Sequence, residues 1–420
     1  MSPAPPTAGV VSFEDAFHIV ERQAAKVAVG QTESVDLLSA LGRILAEPIS
    51  ADRDFPPFPR ATRDGYAVRA ADVATVPARL ETVGEIKAGD SPKKSFEMQP
   101  GQTVSIMTGA PLPPGADAVV MVEYTAQSGN SVEVQRSVKT GENFVPRASE
   151  ASQNQMLLDR GTRLDHAAVA LAASVGRSSV QVFRKPRIAV LATGDEIVAI
   201  DKTPGPSQIR NSNTYSLAAQ IQYAGGEAVL LPVAPDERVR LKALIEEGLQ
   251  SDLLLMAGGV SMGKYDLVEQ VLEELRAEFF FTGAQIQPGR PIVFGRCPEN
   301  RTGVSGLHSK YFFGLPGNPV STMVTFELFV RPMIRGLAGG KPQPLIFLKA
   351  RLKSDVRTKT GLMRFLPAVL SGEFERAEVE LARWQGSGDI AALAVANCYL
   401  VIPPDREHIP TGEWISVLMR

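Results

Sequence analysis

The chain is 420 residues long, and its 44 Lys and Arg nearly balance its 46 Asp and Glu, for a net charge of -2. Charged residues at 21% and hydrophobic residues at 44% describe a folded globular chain of roughly two to four domains, not a disordered one. The absence of a broad basic field excludes sequence-independent nucleic-acid binding. The two cysteines and four histidines, none at metal-ligand spacing, exclude zinc-finger or HExxH chemistry and a disulfide framework.

Taken in order, Ser12 to Ala28 reads as a helix, with Ser12 and Asp15 at capping-box spacing and Phe13, Phe17 and Val20 on one face. Asp54 to Arg60 holds three prolines and cannot be helical. From Leu80 to Val138, short β-prone runs (Thr103–Met107, Ala118–Val122, Val132–Val134) alternate with Pro/Gly turns, predicting a small β-rich domain. From Lys185 the pattern becomes strand and helix in alternation. Strands are expected at Arg187–Leu191, Glu227–Leu231, Asp252–Met256 and Tyr311–Leu315. Helices are expected at Tyr215–Tyr223, Glu237–Gln250, near Leu267–Glu278 and from Val320 to about Leu337. Such βαβ spacing predicts a parallel sheet. After Gly339-Gly340, β-runs at Phe347–Leu352, Arg364–Leu370, Ala377–Ala382, Tyr399–Ile402 and Trp414–Met419 predict a small barrel. Met1–Val11 has no signal-peptide pattern. Apolar runs such as Ala167–Val175 fall far short of the ~20 residues of a membrane span, and sparse cysteine fits a reducing compartment. A cytoplasmic protein without membrane contact is expected.

The chemistry-bearing loops fall at strand ends, where parallel sheets bind ligands. Gly258-Gly259 lets a backbone approach a ligand closely, and amides opening the next helix can receive a phosphate. Ser261 adds a hydroxyl, and Asp266 is placed to hold a metal bridging to phosphate. Thr193-Gly194-Asp195-Glu196 combines a turn, a hydroxyl and two carboxylates, the hard-oxygen environment that Mg²⁺ selects. A single Gly-Gly turn after a strand is more often purely structural, and an Asp or Glu in such a turn is often only a cap; the case rests on the recurrence of such loops on one sheet. Arg290 in Gln287-Pro288-Gly289-Arg290-Pro291 reads equally as an oxyanion clamp and as a surface arginine. Pro316-Gly317-Asn318-Pro319-Val320-Ser321 reads as an anion seat or a plain connector, and Asp64 alone as a turn-former. No GxxxxGK[ST] and no strand-following GxGxxG occurs.

Together these segments resemble the molybdopterin molybdenumtransferase family, with eukaryotic relatives such as the gephyrin E domain. The resemblance runs from Phe13 to Trp414. It rests on Asp64-Gly65-Tyr66-Ala67, Ile106-Met107-Thr108-Gly109-Ala110-Pro111, Gly115-Ala116-Asp117-Ala118-Val119-Val120 and Thr193-Gly194-Asp195-Glu196. It continues in Gly258-Gly259-Val260-Ser261-Met262-Gly263 with Asp266, Pro288-Gly289-Arg290-Pro291, Pro316 to Ser321, and Gly386-Ser387-Gly388 followed by Ala396-Asn397.

The resemblance implies an α/β and β multidomain chain. Residues 12–30 and 185–336 would form a three-layer molybdopterin- and nucleotide-binding domain, and 54–154 a β-rich domain. Residues 31–53 and 155–184 would form an elongated linker domain, and 337–420 a C-terminal β-barrel. It implies an Mg²⁺-dependent insertion of molybdate into adenylylated molybdopterin with release of AMP. The pterin would come from a molybdopterin adenylyltransferase, and the enzyme would be a homodimer whose cleft lies between subunits. On that pattern Thr193, Gly258, Gly259 and Ser261 hold the adenylate, and Glu196 and Asp266 hold the metal. Asp236 is a further catalytic acid, Asp64 and Thr108 reach the cleft from the other subunit, and Arg290, Pro291, Ser321 and Ser387 form the molybdate pocket. Departures are Arg63 before Asp64, Ala148-Ser149-Glu150 for Gly-Glu-Asp, Asn211 for aspartate, Gly283 and Gln287 for lysines, Arg290 for lysine, and Leu362 for arginine with Arg364 nearby. The lost cations leave open a scaffold module on the same fold.

Overall fold

The computed structural model describes residues 9–27, 30–90, 97–259, 267–298, 310–373 and 375–420. Ser12 caps the first helix, Phe13–Ala24: its hydroxyl accepts from the Asp15 amide at 3.0 Å. The helix stops four residues before the expected Ala28 and buries Phe13, Ala16, Phe17 and Val20. That face packs against the Arg331–Leu337 helix and on Phe329 and Phe365. Burying each such side chain contributes about 1.5–3 kcal/mol.

Six strands form the central sheet, in the order Glu227–Leu230, Arg187–Ala192, Leu253–Ala257, Lys310–Leu315, Val293–Cys297, Glu278–Phe281. The first four are parallel, as the βαβ spacing predicts, and the last two join antiparallel. Alternation along the strands sends Ile188, Val190, Leu253, Leu255 and Phe313 to one face and Ala189, Leu191, Leu254, Met256 and Phe312 to the other. Helices cover both faces, giving three layers: Phe13–Ala24, Ser212–Tyr223 and the helical run 319–337 on the first, Arg238–Gly248 and Leu267–Glu274 on the second.

Two further helices differ from expectation. The one expected to reach Glu278 ends at Glu274, where Arg276 turns to φ 56° and the chain enters an edge strand instead. The helical run 319–337 contains a π-helical turn at Phe326–Val330, all five residues buried.

Residues 65–134 contain a second six-stranded sheet, in the order Ala118–Met121, Gly65–Val68, Gln102–Ile106, Ala78–Ile86, Ser131–Val134, Thr125–Ser128. Gly65 is required there, since a Cβ would strike the Val120 carbonyl. Thr32–Asp36 pairs with Ser179–Phe183, and Ile49–Ser50 with Met156–Leu158, so chain on both sides of the β-rich segment comes together. The C-terminal strands Phe347–Leu352, Met363–Ser371, Glu378–Leu381, Cys398–Ile402 and Trp414–Met419 close into a five-stranded barrel, because Met363–Ser371 pairs with both Glu378–Leu381 and Cys398–Ile402. Ile286–Gln287 adds to the barrel edge beside Met363 and Arg364. No described helix is long and apolar enough to cross a membrane.

Candidate functional site

Three adjacent parallel strands end together, and each end carries a loop the sequence singled out. Arg187–Ala192 leads into Thr193-Gly194, Leu253–Ala257 into Gly258-Gly259, and Lys310–Leu315 into Pro316-Gly317. The chain leaves the first of these strands toward one side of the sheet and returns on the other, so a crevice opens where Thr193 meets Gly258. The loops, with Glu196, Asn211, Ser212, Asn213, Asp236 and Pro291, line a cleft of about 470 Å³, within the size range of small-molecule sites.

The floor is a cradle of backbone. The Thr193 amide donates to the Ala257 carbonyl at 3.1 Å, and the Gly258 amide to the Leu315 carbonyl at 3.2 Å. Gly258 and Gly259 take φ +94° and +64°, a region glycine enters without cost. A Cβ on Gly258 would sit 2.9 Å from the Thr193 carbonyl oxygen, and one on Gly259 2.7 Å from the Thr193 hydroxyl. That hydroxyl is buried and has no hydrogen-bond partner among the described residues. A buried hydroxyl left unpaired costs about 1–3 kcal/mol, which a ligand oxygen would recover.

The wall opposite is the amino end of the Ser212–Tyr223 helix. Asn211 caps it, accepting from the Thr214 amide at 3.2 Å, so the aspartate-to-asparagine departure keeps the cap and loses the charge. Asn213 donates from Nδ2 to the Gly317 carbonyl at 2.7 Å and leaves its Oδ1 buried and unpartnered among the described residues. Asn213 and its tie to the Pro-Gly turn are absent from the sequence reading. The signal was present, since Asn211-Ser212-Asn213-Thr214 is cap-forming text ahead of a periodic run.

Acidic groups collect at the rim. Glu196 is exposed two residues beyond Gly194, whose φ of +131° and absent side chain leave room for the Glu196 carboxylate. The Asp236 amide donates to Asp195 Oδ1 at 3.2 Å. Partial burial, then the charges of Asp195 and Glu196, raise the Asp236 carboxyl above the usual aspartate value. Arg210 is the one cation among the described lining residues, so with Asp195, Glu196 and Asp236 the rim keeps a negative surplus. No group of three or more metal-type side chains converges among the described residues. Ser261 and Asp266 lie outside the described residues.

Of the residues expected for molybdate, Pro291 lines the cleft, and Ser321 and Ser387 lie at the junction with the barrel. Ser321 is buried in the first turn of the Pro319–Thr325 helix, and the next-door Val320 amide donates to the Ser387 carbonyl of the barrel loop at 3.0 Å. Gly289, at φ +107°, lies against Thr325, with the Ser321 carbonyl within 3.5 Å of where a Cβ would be; Arg290 beside it is exposed. Gly283 has a physical reason. A Cβ there would stand 3.0 Å from Val10, whose short strand pairs with Gly283–Ala284, so the position carries strand pairing in place of a lysine. Arg364 is buried, and its Nη1 donates to the Leu362 carbonyl at 3.1 Å. By alternation it shares a side with Leu366 and Ala368 of the barrel core, not with Phe365, which faces the α/β core. It is therefore not a substitute cation for the Ser321–Ser387 junction. Asp64 and Thr108 meet each other: the Thr108 amide and hydroxyl both donate to Asp64 Oδ1, at 2.6 and 2.8 Å, which holds that carboxyl below its usual range. Neither lines the cleft.

The fold and the cleft define a class: a chain with a molybdopterin-binding type of α/β domain between β-rich segments. Three family models match in order, the MoeA N-terminal region (domain I and II) at residues 11–176, the probable molybdopterin binding domain at 189–336, and the MoeA C-terminal region (domain IV) at 349–419. A molybdopterin molybdenumtransferase of Nostoc sp. is 37% identical over 99% of this chain and 95% of its own length. One of Bacillus subtilis is 34% identical over 93% and 90%. Two solved molybdopterin biosynthesis MoeA structures from Pyrococcus horikoshii match 98% of this chain, at 34% identity with a TM-score of 0.71 and 28% with 0.78, covering 99% and 100% of theirs. The chain belongs to the molybdopterin molybdenumtransferase family, which places it in molybdenum cofactor biosynthesis.

Proposed function

We propose that this protein inserts molybdenum into adenylylated molybdopterin, consuming molybdate and releasing AMP. The observation that carries this is the cradle of Thr193, Gly258 and Gly259, an orphaned hydroxyl beside two glycines that must lack side chains, ringed by acids. The Thr193 hydroxyl binds the adenylate phosphate, and the helix start at Asn211–Asn213 adds its amides and positive dipole end. The surplus negative charge of Asp195, Glu196 and Asp236, felt in the raised Asp236 carboxyl, suits a hard divalent cation. Glu196 and Asp266 would hold Mg²⁺, which when bound supplies neutralisation of the phosphate charge. Arg290, Pro291, Ser321 and Ser387 orient molybdate at the barrel junction. Molybdenum is cargo, taken up by the substrate's own dithiolene sulfurs; Cys297 and Cys398 are both buried.

Asp64 and Thr108 form a preorganised pair outside this cleft, and a second copy of the chain would bring them to it, so the working enzyme is a homodimer in the cytoplasm. A molybdopterin adenylyltransferase supplies the adenylylated pterin. The test is AMP release from adenylylated molybdopterin by the full chain. Release is expected only with molybdate and Mg²⁺ together. Folded protein that binds the pterin without molybdate-dependent release would support the scaffold reading instead.

A further inference from the structure

A second, smaller cavity lies at the far end of the helix that walls the cleft. Ser212 opens that helix at the cleft, and Tyr223, Ala224 and Gly225 close it at this cavity, about 18 Å away for 12 residues. The cavity measures about 50 Å³, room for a few waters or one tetrahedral oxyanion and far too little for a nucleotide.

Its lining holds Arg43, Arg163, Arg184, Lys185, Arg331 and Arg335, and no acid among the described residues. In a chain of net charge -2 that concentration needs an account. Two carboxylates reach it from outside, Glu33 on Arg43 and Glu327 on Arg331 Nη1 at 2.9 Å. The remaining acceptors are neutral. Arg184 donates to Gln31 Oε1 at 3.1 Å, Arg163 to the Gly42 carbonyl at 3.4 Å, and Arg335 to the Lys341 carbonyl and Gln343. The carboxyl end of the Ser212–Tyr223 helix adds about half a negative charge, which leaves a surplus of about three and a half positive charges. Burial first, then the charges of Arg163 and Arg331, hold the Arg335 guanidinium below its usual value.

The cations come from separate parts of the fold. Arg43 and Arg163 belong to the segment where Ile44 bridges to Arg163, Arg184 and Lys185 to the connection into the central sheet, and Arg331 and Arg335 to the last helix of the α/β layer. We propose that this cavity binds one compact divalent tetrahedral oxyanion of the phosphate or sulfate class, which clasps the Arg43–Arg163 segment to the Arg331–Leu337 helix. Guanidinium groups suit the task because each can offer two parallel donors to such an ion.

The test is calorimetric titration of the full chain with inorganic phosphate at fixed ionic strength, with sulfate, molybdate and chloride in parallel. Phosphate and sulfate are expected to bind and chloride not. Arg163→Ala should weaken phosphate binding roughly 10- to 100-fold, the worth of a lost charge-assisted hydrogen bond. Lys185→Gln, on an exposed side chain whose loss cannot unfold the chain, should weaken it about threefold. Absence of phosphate and sulfate binding, binding of molybdate alone, or phosphate binding untouched by both substitutions would each overturn the proposal. None of those results bears on turnover at the cleft.

Discussion

Gly259 is the position where the cleft geometry makes its sharpest demand. In Gly259→Ala the new Cβ falls 2.7 Å from the Thr193 hydroxyl and 3.0 Å from Val268, inside the 3.4 Å of ordinary contact. Its φ of +64° adds the left-handed cost of about 1–2 kcal/mol for a residue with a side chain. Overpacking against a buried threonine adds about 1–3 kcal/mol. The sum, about 2–5 kcal/mol, corresponds to a fall of roughly 4–20 °C in the unfolding of the α/β segment. Gly225→Ala separates the two contributions: its φ is +91°, but its nearest neighbour is the Gly42 carbonyl at an ordinary 3.8 Å, so it should lose only about 1–2 kcal/mol. Differential scanning calorimetry measures both variants, and AMP titration reads the cradle. Gly259→Ala should bind AMP at least about tenfold more weakly, because the methyl group and the ligand phosphate compete for one space. If Gly259→Ala costs no more stability than Gly225→Ala and binds AMP like the parent, the cradle is not where the phosphate sits.

Other expectations follow from the same structure. The Asp236 carboxyl is raised in the fold, so the folded state holds its proton to higher pH and stability falls as pH rises through the window from 3.8 to the shifted value. Asp236→Asn should flatten that fall in thermal unfolding measured against pH, raise the midpoint at neutral pH and lower metal-dependent turnover; a lower midpoint at neutral pH would show the charge to be compensated. Burial pushes the Cys297 thiol up to about 12 and the Cys398 thiol up to about 11, so neither should react with iodoacetamide in the native protein at pH 8 and both should react in denaturant. Rapid native labelling would contradict their burial. Ser12→Ala removes the cap of the first helix and should cost about 1 kcal/mol by urea unfolding, while Ser12→Asp should restore most of it.

Local chemistry made much of this legible. The Ser12 cap, the run of buried strand residues from Ile188 to Ala192 and the proline at the start of the Pro319 helix are written within a few residues of where they act. The failures are where a distant contact overrules a local pattern. Leu267 to Glu278 is periodic text, yet Phe279 and Phe281 are drawn into pairing with Gly295 and Phe294, so the helix gives up its last turn. The two antiparallel edge strands exist only because Val293–Cys297 finds Lys310–Leu315 across an intervening segment. The C-terminal barrel is expected from its β-runs; what they do not show is which strand, Met363–Ser371, takes two partners to close it.

The site divides along the same line. Each loop announces itself through glycine, proline and a hydroxyl, but no local rule says that Thr193 and Gly259 share one space, and that shared space is what selects a ligand over a plain turn. The altered cations show the converse. Read as text, Gly283 and Leu362 are losses with Arg364 nearby; in three dimensions Gly283 makes room for Val10, and Arg364 turns into the barrel. On the proposed function, molybdate at the barrel junction would be met by Arg290 and the Ser321 and Ser387 hydroxyls, with hydrogen bonding outweighing net positive charge. Its affinity there should then depend less on ionic strength than a lysine-lined pocket would, because screening weakens charge–charge attraction more than it weakens buried hydrogen bonds. A salt series of molybdate-dependent AMP release checks this: a steep loss with salt would mean that cations outside the junction do the holding.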